Sequence, residues 1–169
     1  MADIQRTKPF SVEAEQSVLG SVLIDPECIT GLIEIVSSSD FYIPEHGEIF
    51  DAMCELFNKN RNIDVVTLIN MLTEHGVYSP EECKKYVGVI ADVVPSAANV
   101  RDYARIVHDK AVLRALIDAS EEITENAYSA RGEVKYILDD AEQKIFNLSR
   151  SSDTKNFVSI REALVEAFN

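Results

Sequence analysis

The side chains best suited to chemistry are three histidines, three cysteines and three adjacent pairs of acids, and their spacing argues against an active site. His46-Gly47-Glu48 sets an imidazole two residues from a carboxylate, a pairing that acid–base or metal chemistry can use. A structural histidine near a turn at a helix start is the plainer expectation. His75 and His108 stand far away in sequence, and no His-Glu-x-x-His motif occurs. Cys28, Cys54 and Cys83 are isolated and form no Cys-x-x-Cys pair, so free thiols packed among apolar residues in a reducing compartment are expected. Glu81-Glu82, Glu121-Glu122 and Asp139-Asp140 are neighbours along helices, where adjacent side chains diverge. They are expected to be solvated faces and not catalytic dyads. None of the six glycines precedes a lysine, which excludes a phosphate-binding P-loop, and no serine sits in Gly-x-Ser-x-Gly. The expectation is therefore no catalytic residue, no metal site and no cofactor on this stretch of chain.

The elements that would position such residues are helical. The 169 residues suffice for one domain, or somewhat more, with a real core. The net charge of −13 is uneven: residues 1–96 carry six Lys/Arg against sixteen Asp/Glu, and residues 97–169 carry ten against thirteen. With no basic stripe to offset that acidity, tight nucleic-acid binding by this chain alone is not expected. No apolar run approaches the ~20 residues that span a bilayer, and the polar start lacks a signal-peptide core, so a cytoplasmic protein is expected.

Met1 to about Phe10 is expected to be a flexible arm. Ser11 is a cap for a helix near 12–24, with Glu13 and Glu15 suited to its positive end and Val18, Leu19, Val22 and Leu23 forming an apolar stripe. Gly20 and Ser21 lower its propensity and predict close approach of another helix. Further helices are expected near 26–36, 45–58, from Asp64 to His75-Gly76, and from Pro80 to Val94-Pro95, the last opened by the Ser79-Pro80-Glu81-Glu82 capping box. No segment alternates with period two, so no strand is expected.

Beyond Pro95 the pattern changes. A Gly- and Pro-free run from about 97 to 127, a break at Arg131-Gly132 and a second helix near 133–149 predict an antiparallel helical hairpin over 96–149. Such a hairpin cannot bury both faces alone and needs the preceding bundle or another subunit. Arg150 to Asn156 is expected to be a polar linker, followed by a short amphipathic helix with Ile160, Ala163, Leu164, Ala167 and Phe168 on one face. A helix of about ten residues is unstable in isolation, which makes this face a candidate for docking on a partner. The fold class is thus all-α: a compact helical bundle over 11–95, the hairpin, and a terminal linker helix over 150–169.

The pattern Pro9-x-Ser11-x-Glu13-Ala14-Glu15-x-Ser17-Val18-Leu19-Gly20 resembles the start of the N-terminal domain of bacterial replicative DNA helicases of the DnaB type. Phe41 with His46-x-x-Ile49-Phe50, Ile63 to Leu68, Tyr103 to Val107, Leu113 to Ile117 and Leu138 to Phe146 extend the resemblance over nearly the whole chain. Phe157 to Phe168 is similar to the linker helix that docks on the neighbouring subunit's ATPase domain.

The resemblance implies a function. The family's full protein is a hexameric ring in the bacterial cytoplasm that unwinds DNA at the replication fork with ATP and magnesium, held in a domain this chain lacks. Its N-terminal domains pair through hairpins into a collar, a trimer of dimers, that recruits the C-terminal domain of DNA primase; a helicase loader is a further candidate partner. By motif position, Tyr86, Ile117 and Ile123 match places used around that contact. A stand-alone helical adaptor resembling this collar is the alternative.

Overall fold

The computed structural model describes residues 7–76, 78–93 and 96–167, with side chains described as far as Arg150. Seven α-helices and no strand occur among them: α1 Val12–Ile24, α2 Ile29–Leu32, α3 Pro44–Asn58, α4 Val65–Glu74, α5 Pro80–Ala91, α6 Val100–Ser129 and α7 Val134–Ala167. The chain divides into two compact units, one of residues Phe10–Ala111 and one built from Val112 onward together with the chain start up to Pro9. The division falls within α6 and not at Pro95.

Polar caps set the helix ends in the first unit. Ser11 Oγ accepts from Ala14 N at 3.2 Å and starts α1. Asp64 Oδ1 accepts from Val66 N and Thr67 N, both at 2.9 Å, while Thr67 Oγ1 accepts from Asp64 N and closes a capping box. Ser79 and Glu82 do the same for α5, and the hydrogen bonds from Ser79 hold the Glu82 carboxyl below its usual range. At the end of α3, Asn60 takes φ +51°, Asn60 N donates to Phe57 O and Arg61 N donates to Leu56 O. That pair of bonds is a Schellman stop with asparagine in the left-handed position. Gly76 at φ +70° ends α4.

The expected helix over 26–36 is shorter: a 3-10 turn Pro26–Cys28 leads into a single α-turn, α2. Asp25 Oδ1 accepts from Glu27 N at 3.2 Å and sets this tight start. α1 is more deeply placed than a one-sided stripe predicts. Ala14, Glu15, Ser17, Val18, Leu19, Gly20, Ser21 and Val22 are all buried, so α3 and α5 leave little of it uncovered. The Ser21 hydroxyl satisfies itself by donating to Ser17 O at 2.7 Å. Leu19, Ile49, Phe50, Met53, Leu56 and Leu72 are among the largest core side chains.

Two glycines on these helices predict opposite outcomes. A Cβ on Gly47 would come 2.7 Å from the Ser38 carbonyl oxygen, whereas one on Gly88 would meet nothing within 4 Å. Gly47→Ala is expected to lose about 1–2 kcal/mol, an overpacking cost partly offset by better helix propensity, and Gly88→Ala to gain about 0.5–1 kcal/mol. Thermal melts of the two variants in opposite directions are the check.

In the second unit α6 and α7 form the hairpin, joined through Ala130 at φ +44° and Gly132 at φ +104°. α7 then runs unbroken to Ala167, where a polar linker over Arg150 to Asn156 followed by a separate short helix is the sequence expectation. Arg150 to Asn156 holds neither Pro nor Gly, so its polarity alone gives the backbone no reason to leave the helix. Ile160, Ala163, Leu164 and Ala167 lie on this helix, their side chains outside the described residues; Phe168 is itself outside them.

Candidate interaction surfaces

Histidine 46 is the centre of the first unit's polar chemistry. It is fully buried in the first turn of α3, and Glu15 of α1 is 1% exposed beside it. Glu15 Oε1 accepts from Tyr42 N at 2.7 Å, and Oε2 accepts from Ile43 N at 3.3 Å. The same Oε2 lies 2.6 Å from His46 Nδ1. With both oxygens accepting, Glu15 acts as a carboxylate and Nδ1 carries the donated proton. In the neutral ring Nε2 then accepts from the Tyr86 hydroxyl, 2.7 Å away on α5.

A carboxylate–imidazole–hydroxyl chain has the order of a nucleophile relay, but here it ends in a phenol whose pKa is raised, by burial first and then by Glu45 and Glu15. An activated nucleophile needs the opposite shift. The chain instead ties three helices and a loop together through residues 31 and 40 positions apart. Gly47 admits the Ser38 carbonyl, so His46-Gly47-Glu48 serves packing. Burial likewise pushes Cys28 and Cys54, each beside an aspartate, up to about 11, which leaves their thiols poor nucleophiles. His108 Nδ1 lies 3.1 Å from Asp40 Oδ2. Among the described residues no group of three or more His, Cys, Asp or Glu could hold a metal ion, and no helix is long and apolar enough to cross a membrane.

The three motif-matched residues separate. Tyr86 is half-buried in the first unit, with its hydroxyl turned to His46. Ile117 and Ile123 are half-buried in the second unit. Six positions at 100° per residue leave these two isoleucines about 120° apart around α6. The seam between α6 and α7 is marked by Lys144 Nζ 3.2 Å from Glu122 and Asn126 Nδ2 3.3 Å from Asp140 Oδ2. Ile123 adjoins that seam; Ile117 lies on the other side of α6.

That other side carries the chain start. Lys8 pairs with Asp118, and Arg114 donates to the Pro9 carbonyl at 2.8 Å. The described part of the expected arm is thus anchored. Thr7, Lys8, Leu116, Ile117, Ser120, Glu121, Thr124 and Glu125 line a groove of about 700 Å³.

Outside its seam the hairpin exposes several apolar side chains. On α7 the half-buried positions Ile137, Ala141, Lys144 and Leu148 include the seam-marking Lys144, while Val134 (72%), Leu138 (60%) and Ile145 (44%) stay exposed on an adjoining stripe. In the sequence, Val134, Ile137, Leu138, Ala141, Ile145 and Leu148 share one heptad-like spacing, which does not separate seam from free face.

Comparison with known proteins fixes the relationship. The family model described as "DnaB-like helicase N terminal domain" matches residues 7–109. The chain belongs to this family. Replicative DNA helicase DnaB of Geobacillus stearothermophilus is 36% identical over 165 residues, 98% of this chain, and that of Leifsonia xyli is 34% identical over the same span. The chain spans 36% of the length of each of these relatives. The crystal structure of the N-terminal domain of DnaB helicase from Mycobacterium tuberculosis superimposes with a TM-score of 0.78 at 31% identity, covering 83% of this chain and 99% of that one. The Helicobacter pylori DnaB N-terminal domain, described with its interactions with primase, shares the fold at TM-score 0.59 and 20% identity. The all-α architecture is therefore that of a DnaB N-terminal domain.

Proposed function

We propose that this chain is the collar domain of a hexameric replicative DNA helicase, pairing with its own copies through the hairpin and recruiting the C-terminal domain of DNA primase. The observation that carries this is the exposed apolar stripe Val134, Leu138 and Ile145 on α7, beside a seam that α6 already occupies. A soluble domain leaves such a ridge open for another polypeptide. Family membership and a related domain described with primase interactions support the identity of the partners.

ATP-driven unwinding is assigned to the length of the relatives that this chain does not span. The residues present do not fit a nucleotide and its magnesium: no glycine precedes a lysine, and no described acid cluster suits a metal. The setting is the bacterial cytoplasm at the replisome, and a loader and the neighbouring subunit's ATPase domain complete the set of partners. An acidic collar organises proteins and grips DNA weakly or not at all.

Ile117 and Ile123 divide the work on this reading, Ile117 toward the partner and Ile123 toward the hairpin, while Tyr86 acts from within the first unit. Ile117→Asp is expected to weaken binding of the primase C-terminal domain at least about tenfold, or roughly 1.4 kcal/mol, in titration calorimetry. Wild-type calorimetry together with wild-type sedimentation for Ile117→Asp and Ile123→Asp would remove the assignment.

A further inference from the structure

We infer that Lys144 fixes the roll of α7 about its own axis, so that the helix turns its most apolar stripe outward, toward a second copy of this chain, and not into its own hairpin. The stripe that α7 gives to the seam is Ile137, Ala141, Lys144 and Leu148, all half-buried, and it carries a lysine. A second stripe at the same heptad spacing, Val134, Leu138, Ala141, Ile145 and Leu148, holds no charge at all. At about 100° per residue the centres of the two stripes are about 50° apart, so a roll of that size would exchange Lys144 for Ile145 and Ile137 for Leu138 at the seam. Apolar burial alone favours the second stripe. The helix does the reverse and leaves Val134, Leu138 and Ile145 exposed. Leu138 for Ile137 is a nearly neutral exchange, so position 144 decides.

The polar groups account for the choice. Lys144 Nζ lies 3.2 Å from Glu122 on α6 and also pairs with Asp140, one turn back on α7. Asn126 Nδ2 on α6 donates to the same Asp140 at 3.3 Å, so the chain Glu122–Lys144–Asp140–Asn126 crosses the seam twice. A roll of about 50° would draw Lys144 away from Glu122 and Asp140 away from Asn126 together. Lysine or asparagine at a single seam position is the kind of residue that fixes the alignment of paired helices, at a cost in stability. With the Lys144 side chain 21% exposed, its methylene stem takes the place of an apolar residue while its amine reaches the acids. A cavity of about 690 Å³ opens at this seam, bordered by Glu122, Asn126, Ile137, Asp140 and Lys144 among others. Close packing therefore does not lock the roll, and the side chains of the second stripe have room to enter.

That the outward stripe meets a second copy rests on the self-pairing reading above; that Lys144 sets the roll does not. The test is thiol accessibility. Leu138→Cys and Ile137→Cys, made separately in the full chain, are labelled with a maleimide at dilute protein concentration, and the rate at each site is read by mass spectrometry. Leu138→Cys is expected to label faster than Ile137→Cys. Adding Lys144→Glu should lower the ratio of the two rates on the order of fivefold or more, because the attractions to Glu122 and Asp140 become repulsions. Combining Glu122→Lys with Lys144→Glu again sets one cation between two carboxylates and should restore the ratio. Glu122 and Asp140 are about half-exposed, so raising the salt to about 1 M should move the wild-type ratio in the same direction as Lys144→Glu. A ratio that Lys144→Glu leaves unchanged, whether both rates stay or both rise in an opened hairpin, overturns the inference. Sedimentation of the same chains separates it from self-pairing. If the ratio responds as expected while wild type and Lys144→Glu are both monomers at high concentration, the role of Lys144 stands and the self-pairing reading fails.

Discussion

Glu15→Ala is expected to lose about 3–5 kcal/mol of stability, because several donors around a buried carboxylate lose their acceptor at about 1–3 kcal/mol for each left unsatisfied. Three donors lose their acceptor at once: the backbone N–H groups of Tyr42 and Ile43 and the Nδ1–H of His46. The Nδ1–H of His46 cannot be repaired by water without opening the core, since His46 is fully buried. At several degrees per kcal/mol for a domain of this size, the melting temperature should fall by roughly 15 °C or more. The chain has no tryptophan, so far-ultraviolet circular dichroism is the suitable probe. Tyr86→Phe removes one hydrogen bond at the partly exposed end and should lose only about 1 kcal/mol. A Glu15→Ala melt within 2–3 °C of wild type, well below the shift that such a loss produces at about 4–8 °C per kcal/mol, would show that the network is not a structural tie.

Phe50→Ala is expected to lose a comparable 3–5 kcal/mol by a different route, cavity formation. Phe50 is 2% exposed, and its ring centroid lies 5.3 Å from that of Phe41. Removing it takes away apolar burial and the aromatic neighbour of Phe41. Phe50→Leu keeps most of the volume and should lose less than about 1.5 kcal/mol. A Phe50→Ala variant that melts like Phe50→Leu would place the core's weight elsewhere. Phe50 and His46 are four residues apart on the same face of α3, so this substitution and Glu15→Ala should not add; the double variant measures their coupling by denaturant unfolding.

What the sequence disclosed depended on how far apart the participants stand. Ser11, Asp64, Ser79 and the Arg131-Gly132 break act within a few residues, and the structure places α-helix starts or the hairpin turn at each. Glu15 was legible only as an acid suited to a helix start, because its real partners lie 27 to 31 residues on. His46 was likewise legible only as a structural histidine. The polar run after Arg150 misled for the opposite reason: side-chain polarity says where water is welcome, not whether the backbone breaks. The free stripe on α7 could not be told from its seam because both share heptad spacing.

The uninterrupted course of α7 has a mechanical consequence. Thirty-four residues make a rod of about 50 Å. From Lys144, held by Glu122 and Asp140, to Ala167 is about 35 Å, so a tilt of 5° at the clasp sweeps the far tip through about 3 Å. Whatever grips that tip therefore feels small rearrangements of the hairpin as displacements the size of a hydrogen bond, with no hinge between them to absorb the stroke.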